Sequence, residues 1–393
     1  MLESDRSKAT AHRSEASVRG FERPRGLRSR VKVLPEYARG HNRALVLQTL
    51  YHAGAMSRAD LARETGLTRV TISDLVGELI AEAIVKEMGV REASGPGKPA
   101  ILVDVDRAGH HIIGIDMSGA ECFEGAVMTL DAEVIARETV ARPEDDGGEA
   151  AVAVVLDLAE RLIAASDRPV LGVGIGTQGV VRVDGMVLDS PNLGWHDLPL
   201  QERAVLALGL PVIVRNDANA AALAEYTYGA QRSDFMLIKI GRGVGAGLVS
   251  GGQPLTGSRF AAGEIGHVVI GTDGGPRCIC GRDGCLEAWV NVGRLTSAIA
   301  ADPEARDDIL RDAGARMGIA LAPIVAALDL SEIVLSAPGD LLADAFIEAA
   351  VENLHARTLS GVFEDVAIRL TAQADIVLRG AAVTVLSDQL GIS

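Results

Sequence analysis

Val212-Ile213-Val214-Arg215-Asn216-Asp217-Ala218-Asn219-Ala220 starts as an apolar run and ends in carboxamides around a carboxylate, with a helical pattern over 218–228 directly behind it. A compact apolar run suits a strand buried on both faces, and the polar residues at its carboxyl end then face a crevice. The same texture recurs in His111-Ile112-Ile113-Gly114-Ile115-Asp116, Val170-Leu171-Gly172-Val173-Gly174-Ile175-Gly176, Phe235-Met236-Leu237-Ile238-Lys239-Ile240 and Glu332-Ile333-Val334-Leu335. Helical stretches such as 148–165 separate these runs. The expected fold class after residue 106 is therefore α/β. Two strand-rich halves of similar texture fit a duplicated fold without proving one. From about residue 302 the chain reads as largely helical, with one more apolar run at 375–378.

Upstream the texture changes. From Asn42, residues Ala44, Leu45, Leu47, Leu50 and Tyr51 share one helical face, and Gly54 ends the run. Ser57 then reads as an N-cap with Asp60 three residues on. Gly66 supplies a turn, and Thr68 caps a second helix whose inner face is Ile72, Leu75, Val76 and Leu79. This is the helix-turn-helix pattern. The outward positions Thr68, Arg69, Thr71 and Ser73 are small or basic, as a helix entering a major groove requires. Two strands, at 84–87 and 100–103, flank a Gly/Pro loop carrying Lys98. Residues 41–106 are thus expected to form a winged helix-turn-helix, with Thr68, Arg69, Thr71, Ser73 and Lys98 on DNA. A small helical interaction domain without nucleic acid is the alternative. Residues 1–40, rich in Arg, Ser and Glu, read as a disordered arm.

Charge divides along the same line. The 393 residues carry a net −15. Residues 1–100 hold 17 Lys/Arg against 12 Asp/Glu, whereas 101–393 hold 21 against 41. A mildly basic head on an acidic body suggests two different tasks. Aromatic residues, at 3%, are too few for a base-stacking platform. The first twenty residues lack the apolar core of a secretory signal. The longest apolar stretch, 317–328, is broken by Pro323 and falls short of the about 20 residues a bilayer span needs. Three of the four cysteines fall within eight residues, which points to metal in a reducing cytoplasm rather than to disulfides.

That cluster is His267-x10-Cys278-Ile279-Cys280-x4-Cys285. One imidazole and three thiolates match a closed tetrahedral zinc site, structural because no position is left open for water. It would fix Glu264, His267 and Glu287 relative to one another. In Asn216-Asp217, a carboxylate beside a carboxamide can hold a polyol or act as general base; equally, one of the two is a helix N-cap. The glycines over 241–247 suit either a phosphate cradle or a β-hairpin turn.

Taken together, Gly263-Glu264-Ile265-Gly266-His267, Cys278-Ile279-Cys280-Gly281-Arg282-Asp283-Gly284-Cys285-Leu286-Glu287 and Asn216-Asp217-Ala218-Asn219-Ala220-Ala221-Ala222-Leu223-Ala224-Glu225 resemble the ROK family of repressors, open reading frames and sugar kinases. The resemblance runs from about residue 41 to the end. It implies a two-lobed, actin-like (ribonuclease-H-like) body over 107–393 with sugar in the inter-lobe cleft. Asn192, Asn216, Asp217, Glu264, His267 and Glu287 would contact sugar hydroxyls, His267 holding zinc on its other nitrogen. The winged helix resembles the regulator branch of the family.

The chain also departs from the kinase pattern of that family. Asp116 is followed by Met117-Ser118-Gly119-Ala120, which places a methionine in the first phosphate loop. Arg242 interrupts the second phosphate loop, and Pro338 stiffens Ser336-Ala337-Pro338-Gly339, where adenosine would bind. These lesions imply a sensor, not an enzyme: a repressor of carbohydrate genes that acts on a double-stranded DNA operator as a homo-oligomer, with a sugar effector, zinc as cofactor and no membrane partner. The alternative is a sugar kinase, or a bifunctional kinase-regulator, with Asp217 as base.

Overall fold

The structure, a computed structural model, describes residues 35–90, 100–143, 148–229, 232–271, 274–338, 341–342 and 344–392. The expected arm up to residue 34, Lys98 and Gly339 lie outside the described residues.

The first elements are α1 (Pro35–Ala53), β1 (Met56–Ser57), α2 (Arg58–Thr65), α3 (Arg69–Ala81), β2 (Val85–Val90) and β3 (Ile101–Val105). Helix α1 begins seven residues before the expected Asn42. Proline is well placed in a first helical turn, where its missing N–H has no partner to lose, yet in sequence it reads as punctuation. Ser57 and Asp60 form a reciprocal capping box at the start of α2, Gly66 closes that helix, and Thr68 caps α3. Ile72, Leu75, Val76 and Leu79 are buried as the helical period requires. The three strands pair antiparallel in the order β1-β3-β2.

The first lobe contains β4 (His111–Asp116), β5 (Cys122–Met128), β6 (Val134–Ala141), α4 (Glu149–Ala165), β7 (Val170–Thr177), β8 (Val180–Val181), β9 (Val187–Ser190), β10 (Trp195–Leu198), α5 (Leu200–Leu208), β11 (Val212–Asn216) and α6 (Asp217–Tyr228). The second contains β12 (Phe235–Ile240), β13 (Val244–Ser250), β14 (Gln253–Pro254), α7 (Leu286–Val290), α8 (Val292–Ala301), α9 (Arg306–Leu328), β15 (Glu332–Ser336), α10 (Asp344–His355) and β16 (Ala367–Leu370), and the last helix, α11 (Ile376–Leu390), returns to pack on β4 and β7 of the first lobe. One main sheet runs β11-β7-β4-β5-β6 and the other β14-β13-β12-β15-β16. In each, the first strand in sequence pairs antiparallel with the second and parallel with the fourth. The two sheets thus share one strand order, an actin-like duplication. Strands β5 and β6 escaped the sequence reading because β6 is a half-exposed edge strand and Glu124 and Gly125 interrupt β5. The run at 375–378 is no strand; it opens α11, which is buried on nearly every face.

Helices α6 and α11 cross between the two sheets. A Cβ on Gly380 would come within 1.9 Å of the Ala220 carbonyl oxygen, so only glycine permits this crossing. One hydrophobic core joins Val46, Leu47 and Leu50 of α1 to Ile112 and Met128 of the first lobe and to Leu386 and Leu390 of α11. The N-terminal head therefore packs directly onto lobe one. No helix among the described residues is long and apolar enough to cross a membrane.

Candidate functional site

Strand β11 delivers Asn216 and Asp217 to the mouth between the two lobes. Asn216 is the N-cap of α6: its Oδ1 accepts from the Asn219 N–H at 3.0 Å, and its Nδ2 donates to the Gly179 carbonyl at 2.9 Å. The capping reading thus holds for Asn216, and Asp217 is left facing the cleft. There the Lys239 Nζ approaches Asp217 Oδ2 to 3.2 Å, with both side chains largely enclosed. Burial alone would push Lys239 down, but the charges of Asp217 and Asp116 outweigh it and raise it. Burial pushes Asp116 up, partly offset by Lys239.

A cavity of about 320 Å³ lies here. Asn192, Asn216, Asp217, Glu264, His267 and Glu287, six residues from four separate stretches of sequence, all line it. Glu264 and His267 reach it because their loop lies against β13. Gly263 sits at φ +98°, and a Cβ there would fall 1.8 Å from the Ala246 carbonyl oxygen. Burial pushes the Glu264 carboxyl up, Asp217 and Glu287 add to this, and His267 opposes it. Glu287 is partly committed to structure, since its Oε2 accepts the Val244 N–H at 3.0 Å.

Several lining residues went unnoticed in the sequence. Gln178 donates through Nε2 to the Ser118 carbonyl at 2.7 Å, and among the described residues neither its buried Oε1 nor the buried Ser190 Oγ has a partner. Lys239 also lines the cavity. The one signal for it was a lone cation inside an otherwise aliphatic strand. The glycines at 241–247 are a hairpin turn and the start of β13, with Ile240 opposite Val244. Met117 is fully buried in the core of lobe one and so does not fill the loop as expected.

His267, Cys278, Cys280 and Cys285 present ligand atoms that all lie within 4.8 Å of one another, a set able to hold a metal ion. His267 Nδ1 is 3.6 Å from Cys278 Sγ, and Cys280 Sγ is 3.6 Å from Cys285 Sγ.

On the head, Thr68, Arg69 and Ser73 are exposed, and Thr71 is half-buried. The Thr68 Oγ1 is engaged in accepting the Thr71 N–H at 3.2 Å. Val70, which the sequence reading passed over, stands 71% exposed beside Arg69.

The family model described as "ROK family" matches residues 112–386, and the chain belongs to the ROK family. It is 28% identical to the xylose repressor of Caldicellulosiruptor bescii over 386 residues, covering 89% of this chain and 96% of that protein. A crystal structure described as a ROK family transcriptional regulator, homologous to the Escherichia coli MLC protein, superposes with a TM-score of 0.78 at 25% identity, covering 90% of this chain and 98% of the other. A ROK family glucokinase from Streptomyces griseus, in complex with glucose and AMPPNP, superposes with a TM-score of 0.60 at 25% identity, covering 70% of this chain and 98% of that one.

Proposed function

We propose that this protein is a sugar-responsive transcriptional repressor whose effector binds between the two lobes. The observation that carries the reading is the convergence of Asn192, Asp217, Glu264 and His267 on one open cleft, in a chain whose other end is a capped helix pair with an exposed Arg69. We read residues up to 106 as a winged helix-turn-helix, with α3 as the recognition helix, and the rest as the sensor. Its relationship to repressors along nearly the whole chain supports this. Two-fold symmetric operators call for a dimer presenting two heads. The cytoplasm, which keeps the three clustered thiols reduced, is the fitting compartment.

The residues at the Cys/His cluster fit zinc. A Zn–S bond of about 2.3 Å gives tetrahedral edges of roughly 3.8 Å, close to the 3.6 Å between Cys280 and Cys285 Sγ. His267, Cys278, Cys280 and Cys285 would fill all four positions, so the ion would hold the loop and supply no reaction. His267 would keep one ring nitrogen for the ligand.

A sugar can move the heads only through unequal affinity for two lobe arrangements. The shared core makes the head ride with lobe one, so lobe closure and head placement are linked. The kinase reading retains Asp217 as base; against it stand Lys239 held on that carboxylate and Pro338 at the expected adenosine loop. A thermal-shift screen of sugars, followed by gel shift with the hits and a coupled assay for ATP turnover, tests the proposal. A sugar that alters operator affinity without being phosphorylated is expected. Stoichiometric phosphorylation, or no sugar effect on DNA binding, would overturn it.

A further inference from the structure

We infer that residues 19–32, ahead of α1, are a second DNA-binding element, one that enters the minor groove beside the site of α3; this rests on the reading of the head as DNA-binding.

The argument starts from charge. Residues 1–100 hold 17 Lys/Arg against 12 Asp/Glu, and residues 19–32 alone hold six against the single Glu22. The rest of that first hundred is therefore balanced, with 11 of each sign. The described part of the head is poorer still, since residues 35–90 carry six basic and seven acidic side chains. Most of those cations are engaged within the head. Arg39 pairs with Glu78, Arg43 with Glu82, Arg58 with Glu87, Arg63 with Asp60, and Lys86 with Asp106. Among the described residues 35–90, Arg69 is the one cation without a carboxylate partner. The loop at 91–99 adds only Arg91 and Lys98 against Glu92. Sequence-independent affinity for DNA comes from neutralised phosphates and the counterions they release, and it needs several cations. Residues 19–32 are where the chain holds them.

Geometry delivers that segment to the right end of the head. The Arg39–Glu78 pair joins α1 to α3, and Arg43–Glu82 repeats the contact four residues further along both helices. The two helices therefore run side by side in the same direction. Ala38 and Asn42 of α1 share a groove with Thr71 and Asp74 of α3. The start of α1 thus lies at the same end of the pair as Arg69, the end that the repressor reading puts on DNA. Arg25 stands ten residues ahead of Pro35, a reach of at most about 35 Å. The neighbouring minor groove is half a helical turn away, about 17 Å.

The residue types suit that groove. Arg23-Pro24-Arg25-Gly26 sets two guanidinium groups close together among residues with no long side chain between them. A groove about 6 Å wide excludes a helix and admits such a stretch. Guanidinium is also the group drawn into narrow A·T tracts, where the negative potential is strongest.

Salt-dependent titration of the full chain tests this, with A·T-rich and G·C-rich duplexes and with duplexes enriched from a random pool by the wild-type chain. Combining Arg19→Gln, Arg23→Gln, Arg25→Gln, Arg28→Gln, Arg30→Gln and Lys32→Gln is expected to weaken binding at least about 10-fold. The slope of log K against log salt should fall by about 3 to 5 units per chain, against about one for Arg69→Ala. Arg23→Gln with Arg25→Gln should erase the preference for A·T-rich flanks. Netropsin, which fills the A·T minor groove, should compete with the wild type and leave this double variant unaffected. A wild-type slope in the six-site variant would overturn the inference and leave α3 on DNA. A lost slope with a wild type indifferent to netropsin would put the segment on phosphates and overturn its minor-groove assignment. Failure of the wild type to retain any duplex would remove the DNA-binding reading itself, and this inference with it.

Discussion

The Tyr51 hydroxyl donates to the Leu130 main-chain carbonyl across 3.1 Å, tying α1 of the head to the turn between β5 and β6 of lobe one. Arg107 braces the same point: its guanidinium lies 4.9 Å over the Tyr51 ring, donates to the Tyr51 carbonyl at 3.0 Å and pairs with Asp131 at 2.6 Å. Tyr228, the last residue of α6, packs against this cluster. One helix therefore begins at Asp217 in the cleft and ends beside the head. Tyr51→Phe should keep the ring packing, lose the bond and cost about 1 kcal/mol of stability by denaturant melt. It should also weaken the effect of sugar on operator affinity. Wild-type values for both would show that the seam carries no coupling.

The same phenols set an alkaline limit. Burial, with Tyr228 and Asp131 beside it, pushes Tyr51 well above its ordinary value, and burial raises Tyr228 too. In the unfolded chain both release protons near pH 10, while the folded chain retains them. The folded state then binds more protons, so their contribution is intact below about pH 10 and is lost as pH climbs towards the raised folded values. Denaturation midpoints measured from about pH 9 to about pH 11 should fall, and Tyr51→Phe should flatten the fall. An unchanged slope in that variant would contradict the assignment.

Asp217→Ala should abolish the sugar response and leave operator binding intact. The carboxylate offers acceptors to ligand hydroxyls, and a charge-assisted bond is worth about 1.5–3 kcal/mol, so affinity should drop roughly 10- to 100-fold. Lys239 keeps Asp116 as a counter-charge, which protects the fold. Calorimetry showing full sugar affinity in this variant would place the site elsewhere.

Metal removal should loosen the cleft wall as well as the loop. Burial, in the first place, pushes the Cys278 thiol up to about 12, so metal uptake at neutral pH must displace its proton, whereas the Arg282 backbone N–H pulls the Cys280 thiol down. Cys280 is the exposed member of the cluster, so Cys280→Ser removes a ligand without disturbing the core. Elemental analysis should find one zinc per wild-type chain and little in the variant. The variant should melt lower and bind sugar more weakly, since Glu287 Oε1 lies 3.7 Å from Cys278 Sγ and His267 lines the cavity. A metal-free wild type with an unchanged melt would refute the site.

Sequence reading went furthest where the signal was local. Capping at Ser57 and Thr68 follows from short-range hydrogen bonds, and His267 with the three cysteines follows from the demands of a metal on spacing. Asn216 and Asp217 were legible as a polyol-holding pair at a strand end, whereas Asn192, Glu264, His267 and Glu287 were named as sugar contacts through family resemblance, because the separate stretches converge only in three dimensions. Gln178 and Lys239 stayed hidden, since neither residue type announces a cavity until its partner, Ser118 in the same lobe or Asp217 across the cleft, is known. Glycines 241–247 left two readings open, since a glycine run reads alike whether it opens to phosphate or turns a hairpin, and the structure shows the hairpin.

Arg69, the first residue of α3, is exposed, and the proposed recognition-helix reading puts it on DNA. The body carries 41 acidic against 21 basic residues over 101–393, so it repels phosphate at long range and leaves contact to the head. Arg69→Ala should therefore weaken operator binding measurably at fixed salt. If Arg69 reads a base, the loss should be about 1–3 kcal/mol and confined to the specific site. If it holds a phosphate, affinity should fall for all sequences and the salt slope should drop by about one unit per head. Val70→Ala separates the two further: an exposed methyl-bearing side chain beside Arg69 suits a thymine methyl, so its loss should relax specificity without changing the salt slope. Gel-shift titrations across salt concentrations, with operator and scrambled duplexes, read all of these, and wild-type affinity in Arg69→Ala would remove α3 from the DNA interface.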